Sequence, residues 1–309
     1  MKAILMNGYG GPEVLQYGDT PDPAAGSGEI VVDIHAASLN PSDWKSREGR
    51  HGSDPKMLFP HILGRDFSGV VREAGPGVGY FSKGDAVFGV LDSGQEGAYA
   101  EALAIKAEIV AIKPPVLSHI EAAAFSLIGL TALIALEDTA QLKSGETILI
   151  HGGAGGVGGF AVQYARHIGA KVFTTASARN HDYVRLLGAD EAIDYSTQDF
   201  TEVVPKCDVV FDTIGGEVHA RSFSVLKSGG RLIHVANGPE GFEPPQNDVT
   251  AIRPKVPRDR KHLERIVELV ESGALKSLEI TEIPLAEAAS ALEISKKGHV
   301  RGKIVLVAR

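Results

Sequence analysis

The chain has 309 residues, about twice the length of a typical single domain, so two domains are expected. Its net charge of −8 and its lack of a Lys/Arg-rich block argue against nucleic acid or a membrane surface as the main partner. A single cysteine, Cys207, excludes an intramolecular disulfide and any multi-cysteine zinc site. Because Cys207 opens the apolar run CDVVFD, it is predicted to be a packed core thiol. The N-terminal apolar run is too short for a signal peptide, which predicts a cytoplasmic protein.

The first third of the chain predicts short strands separated by turns. The β-like runs are KAILM, EIVVDIHAAS, SGVVREAG, DAVFGV and YAEALAI, and turn-rich pieces such as PDPAAGSG and GPGVG separate them. Short strands with frequent turns favour a barrel or a sandwich over alternating β/α units. Residues 1–120 are therefore predicted to form the first part of a β-rich domain.

The pattern changes near Ser118, where a long Ala/Leu-rich helix is predicted. Ser118 and Glu121 have the spacing of a capping box. Strands and helices then alternate, with predicted helices ending at Gly169 and Gly188 and apolar strands such as TILI and VVF. This alternation is typical of a parallel sheet buried on both faces, so residues 121–257 are predicted to form a doubly wound α/β domain.

The last part, residues 258–309, is predicted to return to the first domain. RKHLERIVELVESG is an amphipathic helix, AEAASALEISKKG is a second helix, and GKIVLVA is a final strand. The fold class is therefore α/β, a β-rich domain into which a doubly wound domain is inserted.

The stretch HGGAGGVGG, residues 151–159, is the strongest motif of the chain. Gly153, Gly155 and Gly158 satisfy G-x-G-x-x-G, and the motif directly follows a strand and opens a helix. In that context the glycines allow a tight turn, and the backbone N–H groups of the turn approach a pyrophosphate. We predict a dinucleotide site that includes Gly156 and Val157; the alternative is a glycine-rich turn without a ligand.

The second strand of the α/β domain bears on the choice of nucleotide. NAD-preferring sites have an acid there, about 20 residues after the glycines, but no carboxylate occurs between Lys171 and His181. Ser177, Arg179 and Asn180 take that place, and a guanidinium suits a 2′-phosphate. NADPH is therefore the predicted cofactor; the alternative for Arg179 is a solvated loop residue.

At this point nearly the whole chain resembles the medium-chain dehydrogenase/reductase superfamily. It is most similar to the zinc-free quinone oxidoreductase (zeta-crystallin-like) and enone reductase branch. The pieces that carry the resemblance are the glycine run and AASLNPSDWKSREG, LGRDFSGVV, GDAVFG, GAYAE, LIGLTALIAL and LLGADEAIDY. The resemblance implies a GroES-like catalytic domain, a Rossmann domain and a homodimer.

The resemblance also places the positions of the catalytic zinc in zinc-binding members. They have a cysteine where this chain has Asn40, a His-Glu pair where it has Arg65 and Asp66, and a cysteine where it has Leu127. An amide, a guanidinium and an isobutyl group do not supply the Cys/His ligands that a catalytic zinc needs. Without a metal, hydride transfer favours acceptors that delocalise charge themselves, such as quinones and α,β-unsaturated carbonyl compounds.

The resemblance gives three candidate catalytic residues. Asn40 is implied to lie beside the nicotinamide and to donate a hydrogen bond to the acceptor oxygen; the alternative is that it shapes the turn into Pro41. Asp43 is a candidate for orienting its neighbours, or only for capping a helix. Lys45 is a candidate proton relay, or only an exposed lysine. Related quinone reductases often have a tyrosine in this neighbourhood, whereas this chain has Trp44, so a specific proton donor is not assigned.

Further cofactor contacts follow from position and resemblance, and each of these residues has the alternative of a turn or core role. They are Thr131 at the nicotinamide end, Tyr195 beside the 2′-phosphate, the strand-end residues Ile214, Gly215, Ala236 and Asn237, and Lys303 at the phosphates.

Two segments bear on the substrate. The turn-rich stretch from Arg47 to Gly64 is a candidate lid, and the segment 238–256 is shorter than in longer relatives, which place an extra helix there. The predicted function is NADPH-dependent reduction of quinones or enones. The alternatives are a nucleotide-binding protein without turnover, with a redox-sensing or structural role, and an alcohol dehydrogenase.

Overall fold

The computed structural model describes residues 1–50, 57–92, 94–95, 97–245 and 248–309. The chain forms two compact units. The first comprises Met1–Leu127, Arg258–Glu271 and Leu278–Arg309, and the second Ile128–Pro257 and Ser272–Ser277. Compared with the predicted domains, the first boundary therefore lies after Leu127, and Ser272–Ser277 joins the second unit.

The strands, in chain order, are β1 (Lys2–Met6), β2 (Leu15–Asp19), β3 (Glu29–Ser38), β4 (His61–Ile62), β5 (Asp66–Ala74), β6 (Ala86–Val90), β7 (Ala102–Lys106), β8 (Val110–Ile112), β9 (Thr147–His151), β10 (Lys171–Ala176), β11 (Glu191–Asp194), β12 (Cys207–Asp212), β13 (Leu226–His234), β14 (Thr250–Ile252), β15 (Ile280–Pro284) and β16 (Lys303–Val307). The α-helices are α1 (Pro41–Arg47), α2 (His119–Leu133), α3 (Gly156–Ile168), α4 (His181–Leu186), α5 (Phe200–Val203), α6 (Glu217–Ser222), α7 (Arg260–Glu271) and α8 (Ala288–Lys297).

The first unit is built from two mainly antiparallel sheets. One has the strand order β2-β1-β4, and the other β15-β16-β3-β5-β6-β8, with β7 also paired to β3. The long strand β3 pairs with β5, β7 and β16, so the C-terminal strand β16 is hydrogen-bonded to the N-terminal part of the chain. This pairing confirms the predicted return of the chain to its first domain. The core includes Ile30, Val32, Phe67 and Leu306, all fully buried.

The second unit has one parallel six-stranded sheet in the order β11-β10-β9-β12-β13-β14. This is the strand order of the doubly wound dinucleotide-binding fold. Strand β9 lies in the middle, with β10 on one side and β12 on the other, so the order reverses at its carboxyl end. Ligands of such sheets bind at this reversal, because the helices on the two sides leave a crevice there. The edge strand β14 lies within the shortened segment 238–256 and has no counterpart in the strands that the sequence predicts.

Several local predictions are confirmed. The Ser118 N–H donates to Glu121 Oε2 at 2.8 Å and the Glu121 N–H to Ser118 Oγ at 3.2 Å, which is the capping box at the start of α2. Helix α3 ends at Gly169, whose φ of +85° is the left-handed conformation that glycine adopts without strain. Cys207 is fully buried, and burial raises the pKa of its thiol to about 12, as expected of a core thiol.

Helix α2 continues as a π-helix over Ile134–Thr139. The combined stretch His119–Thr139 is the one described helix that is long and apolar enough to cross a membrane, with a mean hydropathy of 1.8. However, 72% of its most apolar window is buried inside the protein. Its composition is therefore that of a core helix.

Candidate functional site

The glycine turn between β9 and α3 is tightly packed at two of its three motif positions. A Cβ atom on Gly153 would overlap Thr174 Oγ1, and a Cβ atom on Gly158 would overlap the carbonyl oxygen of Gly152. Gly152 itself has a φ of +76°, which favours glycine. Glycine is thus required at 153 and 158 by the packing of the unit itself.

Gly155 differs from these two glycines. A Cβ atom there would have Gly152 O at 3.5 Å as its nearest neighbour, an ordinary contact, so the fold does not require glycine at this position. Gly155 is the N-cap of α3, and no side chain caps the helix. The N–H groups of the first turn, at Gly156, Val157 and Gly158, therefore lack acceptors within the helix and are arranged as in an anion site. The open space in front of Gly155 has room for a pyrophosphate, and these N–H groups can donate hydrogen bonds to it.

A matched pair of glycine substitutions tests this difference. We expect Gly155→Ala to fold normally but to raise the Kd of NADPH about tenfold or more, because a methyl group would enter the space left for the phosphates. We expect Gly158→Ala to lower the free energy of unfolding by about 1–3 kcal/mol, because its methyl group overlaps the backbone of Gly152. Titration calorimetry and denaturant unfolding measure the two effects. Wild-type affinity in Gly155→Ala would contradict the assignment.

The carboxyl end of β12 is held by a buried aspartate. Asp212 Oδ1 accepts hydrogen bonds from the N–H groups of Ile214 and Gly215, both at 2.9 Å, and its Oδ2 lies 3.1 Å from His219 Nδ1. The turn lies against the end of β13, since the Gly216 N–H donates to Asn237 O at 2.8 Å. The structure therefore brings Ile214, Gly215, Ala236 and Asn237 together at one edge of the sheet. Ile214 is 56% exposed there, which is unusual for a large apolar side chain and is consistent with its predicted contact with the cofactor.

The residues after β10 divide into a buried and an exposed group. Asn180 is buried, and its Nδ2 donates to Ser177 Oγ at 3.2 Å, so this amide stabilises the loop. Arg179, between them, is exposed. Strands β10 and β11 end side by side with Ala176 paired to Asp194, which brings Tyr195, 53% exposed, to the same edge. Of the candidates for the 2′-phosphate, Arg179 and Tyr195 are exposed, and Ser177 is half-buried. Thr131 is half-buried in α2.

In the first unit, Asn40 is the centre of a buried hydrogen-bond network. Its Nδ2 donates to Asp66 Oδ1 at 2.5 Å, and its Oδ1 accepts from Lys303 Nζ at 2.8 Å. A second Nδ2 hydrogen is directed to Ser38 O at the long distance of 3.4 Å. Lys303 Nζ also donates to Leu39 O at 2.7 Å. The carboxamide is therefore held from both ends, while one of its two N–H donors makes only a weak bond.

Asp43 belongs to the same network. The Asn40 N–H donates to Asp43 Oδ2 at 2.7 Å, so Asp43 caps helix α1 at its N-terminus, and the Tyr99 hydroxyl donates to the same oxygen at 2.6 Å. Burial raises the pKa of the Asp43 carboxyl to about 6, despite the opposing effect of these hydrogen bonds. Burial likewise raises the pKa of Asp66. Asp43 therefore caps α1, and its role in orienting the catalytic neighbours stays a prediction.

The two lysines among the predicted site residues differ in outcome. The prediction that Lys303 reaches the phosphates needs correction: Lys303 is 5% exposed and donates to two oxygen atoms inside the first unit. Burial lowers the pKa of its amino group, against the effect of the Asp66 and Asp43 carboxylates. Lys45 is exposed, with Nζ 5.5 Å from the centroid of the Trp44 ring, so its surroundings are those of a surface lysine. Its proton-relay role stays a prediction.

The residues at the zinc positions of the resembling family do not fit a catalytic zinc. The oxygen of Asn40 is already an acceptor for Lys303, and its nitrogen is a donor to Asp66. Arg65 is buried beside them, and Leu127 has no ligand atom. An amide engaged at both ends, a guanidinium, an isobutyl group and the single carboxylate of Asp66 are a poor ligand set for a catalytic zinc.

Sequence reasoning missed Tyr99 and the role of Lys303 in this network. Both lie in strand-like runs, YAEALAI and GKIVLVA. In such runs a polar residue is expected on the face of the strand that points away from the core. The candidate lid between Arg47 and Gly64 includes residues 51–56, which lie outside the described residues.

Comparison with known proteins agrees with this architecture. Residues 26–115 match the family described as alcohol dehydrogenase GroES-like domain, and residues 187–306 match the family described as zinc-binding dehydrogenase. The first match confirms the expected GroES-like domain. The second family is named for zinc, but this chain has Asn40, Arg65 and Leu127 where zinc-binding members have ligands.

Two curated relatives span almost the whole chain. A chloroplastic quinone-oxidoreductase homolog from Spinacia oleracea is 34% identical, covering 99% of this chain and 98% of its own. A chloroplastic NADPH-dependent alkenal/one oxidoreductase from Arabidopsis thaliana is 32% identical, covering 99% of this chain and 79% of its own.

Solved structures give the same picture. The quinone oxidoreductase from Coxiella burnetii superimposes with a TM-score of 0.90 at 35% identity, covering 100% of this chain and 99% of its own. A structure described as an NAD-dependent alcohol dehydrogenase superimposes with a TM-score of 0.93 at 30% identity, with full coverage of both chains. The fold is thus shared by relatives whose names differ in nucleotide and substrate. The chain belongs to the medium-chain dehydrogenase/reductase superfamily, within the group that contains quinone oxidoreductases and enone reductases.

Proposed function

We propose that the chain is an NADPH-dependent oxidoreductase that reduces quinones or α,β-unsaturated carbonyl compounds without a metal. The observation that carries the proposal is the Asn40 carboxamide. It stands where zinc-binding relatives place a metal ligand, and Lys303 and Asp66 hold it from both sides. A fixed donor in a buried environment stabilises charge that develops on a substrate oxygen, because the donor need not reorganise during the reaction.

The Asn40 N–H that is directed to Ser38 O is the donor available to a substrate. Its distance of 3.4 Å marks a weak hydrogen bond, whereas the other N–H makes a short bond to a carboxylate. A carbonyl oxygen of a quinone or an enone would replace Ser38 O at little cost. The proposal therefore assigns one N–H of Asn40 to substrate and the other to Asp66.

The second unit supports NADPH as the electron donor, as the name of the Arabidopsis thaliana relative also does. The open turn at Gly155 and the N-terminus of α3 fit the pyrophosphate, and Arg179 and Tyr195 are exposed at the edge where the 2′-phosphate would lie. NADPH, when bound, supplies a hydride. The chain supplies binding, orientation and a hydrogen-bond donor.

The absence of fitting metal ligands selects the acceptor. A saturated ketone needs a Lewis acid or a strong proton donor to stabilise the alkoxide that hydride addition creates. An enone accepts hydride at its β-carbon, gives an enolate that Asn40 stabilises, and takes a proton at its α-carbon from water. A quinone accepts a hydride and a proton and gives the hydroquinone.

The test is oxidation of NADPH, followed by its absorbance, with a panel of quinones, enals and enones, repeated with NADH. With an enone and [4,4-²H₂]NADPH, we expect the product to carry one deuterium at the β-carbon of a saturated ketone. Deuterium on the carbonyl carbon of an alcohol would instead assign alcohol dehydrogenase activity. Tight NADPH binding without oxidation by any acceptor would assign a nucleotide-binding protein without turnover. The homodimer and the cytoplasmic location stay predictions.

A further inference from the structure

Lys303 is a buried lysine that contacts the proposed donor Asn40 directly. It begins strand β16, is 5% exposed, and donates to two oxygen atoms, Leu39 O and Asn40 Oδ1. Burying an amino group is costly unless its hydrogens are bonded, so these two contacts stabilise it in place. Leu39 O belongs to the backbone, which gives the amino group a fixed anchor.

The amino group of Lys303 determines which way the Asn40 carboxamide faces. A lysine Nζ with these contacts acts as a donor, so the group it meets must be the carboxamide oxygen and not the NH2 group. At the other end, Asp66 presents a carboxylate oxygen to Nδ2 at 2.5 Å, which requires the NH2 group there. Rotation of the carboxamide by 180° would therefore break both contacts.

We propose that Lys303 is a positioning residue for the acceptor site, which fixes the Asn40 carboxamide in the one orientation that offers an N–H to the substrate oxygen. This inference rests on the proposed function, because it assigns Asn40 the donor role. It gives the buried lysine a function at the place where zinc-binding relatives organise the site around a metal.

The backbone around this contact supports the positioning role. The Leu39 N–H donates to Ile304 O at 3.0 Å, and Val305 pairs with Ser38 across β16 and β3. The strand that carries Lys303 is thus hydrogen-bonded to the strand that leads into Asn40. The distance between the two side chains is set by a sheet, and elements of this kind hold site residues more rigidly than loops do.

A double-mutant cycle tests the proposal. We expect Lys303→Met, which keeps a long unbranched side chain, to lower kcat about tenfold or more while the KM for NADPH stays within about twofold. If Lys303 acts through Asn40, then Asn40→Ser in the Lys303→Met background should lower kcat by no more than about threefold, although Asn40→Ser alone lowers it about a hundredfold. Lys297→Met, a substitution of an exposed lysine in the same unit, is the control and should leave kcat unchanged.

Two results would overturn the proposal: wild-type kcat in Lys303→Met, or fully additive effects of the two substitutions. If Lys303→Met fails to fold, Lys303→Gln takes its place in the cycle, because glutamine is neutral and carries an acceptor as well as a donor, so it does not force one orientation on the Asn40 carboxamide. There the positioning role predicts a lowered kcat that Asn40→Ser lowers further by no more than about threefold, and wild-type kcat or additive effects would overturn the proposal. Absence of turnover by the unmodified chain would overturn the proposed function itself, an outcome that is distinct from turnover that survives Lys303→Met.

Discussion

Asn40→Ser is expected to lower kcat with a quinone or an enone about a hundredfold, which is the usual effect of removing one preorganised donor to a developing oxyanion. Serine is too short to span the distance between Lys303 and Asp66, so the donor is lost. The start of helix α1 is retained, because the bond to Asp43 Oδ2 comes from the backbone N–H of residue 40. Steady-state kinetics with saturating NADPH measure the effect.

A control separates this loss from damage to the fold. Asn7→Ser changes an exposed asparagine of the same unit and should leave kcat unchanged. The fluorescence of Trp44, the single tryptophan of the chain, reports on α1 and should stay the same in Asn40→Ser. A kcat within threefold of wild type, with α1 intact, would leave Asn40 only its role at the turn into Pro41.

Arg179→Ala is expected to raise the KM for NADPH by about tenfold to a hundredfold, because a charged hydrogen bond to the 2′-phosphate is worth about 1.5–3 kcal/mol. The KM for NADH should change by less than about twofold, because NADH has no phosphate for the guanidinium to bind. The kcat/KM for NADPH divided by that for NADH therefore falls. The same assay with each nucleotide gives that ratio.

Arg185→Ala is the matched control for this substitution. Arg185 lies six positions later in α4, is exposed, and pairs with Asp182 at 3.6 Å, so its loss removes the same charge from the same region. It should affect both nucleotides little and equally. If Arg179→Ala also weakens NADPH and NADH equally, Arg179 does not recognise the 2′-phosphate.

Much of the second unit could be predicted from the sequence because its signals are local. The glycine motif, the helix end at Gly169 and the apolar strand of Cys207 each depend on neighbours within a few residues. The structure then adds a distinction that the motif does not contain. Gly153 and Gly158 are needed for packing, whereas Gly155 leaves open space. The edge strand β14 was not predicted, since three residues in a proline-rich segment have too little periodicity to detect.

The acceptor site could be predicted only in part, because it is assembled from distant parts of the first unit. The sequence and the resemblance identified Asn40 and Asp43, which share one turn. Lys303 is 263 residues away from Asn40 and meets it only through the pairing of β16 with β3. That pairing buries Lys303, the first residue of β16, inside the unit. A lysine is usually exposed, so its residue type alone does not predict this burial. The error about Lys303 thus arose from a contact that depends on tertiary structure.

One rate comparison decides whether the chain reduces a conjugated acceptor without a metal. NADPH oxidation with a quinone is measured before and after exhaustive treatment with a chelator, alongside a saturated ketone of similar size. We expect the same rate with the quinone before and after treatment, and no reduction of the ketone. Loss of the quinone rate on chelation with recovery on addition of zinc, or reduction of the saturated ketone, would contradict it.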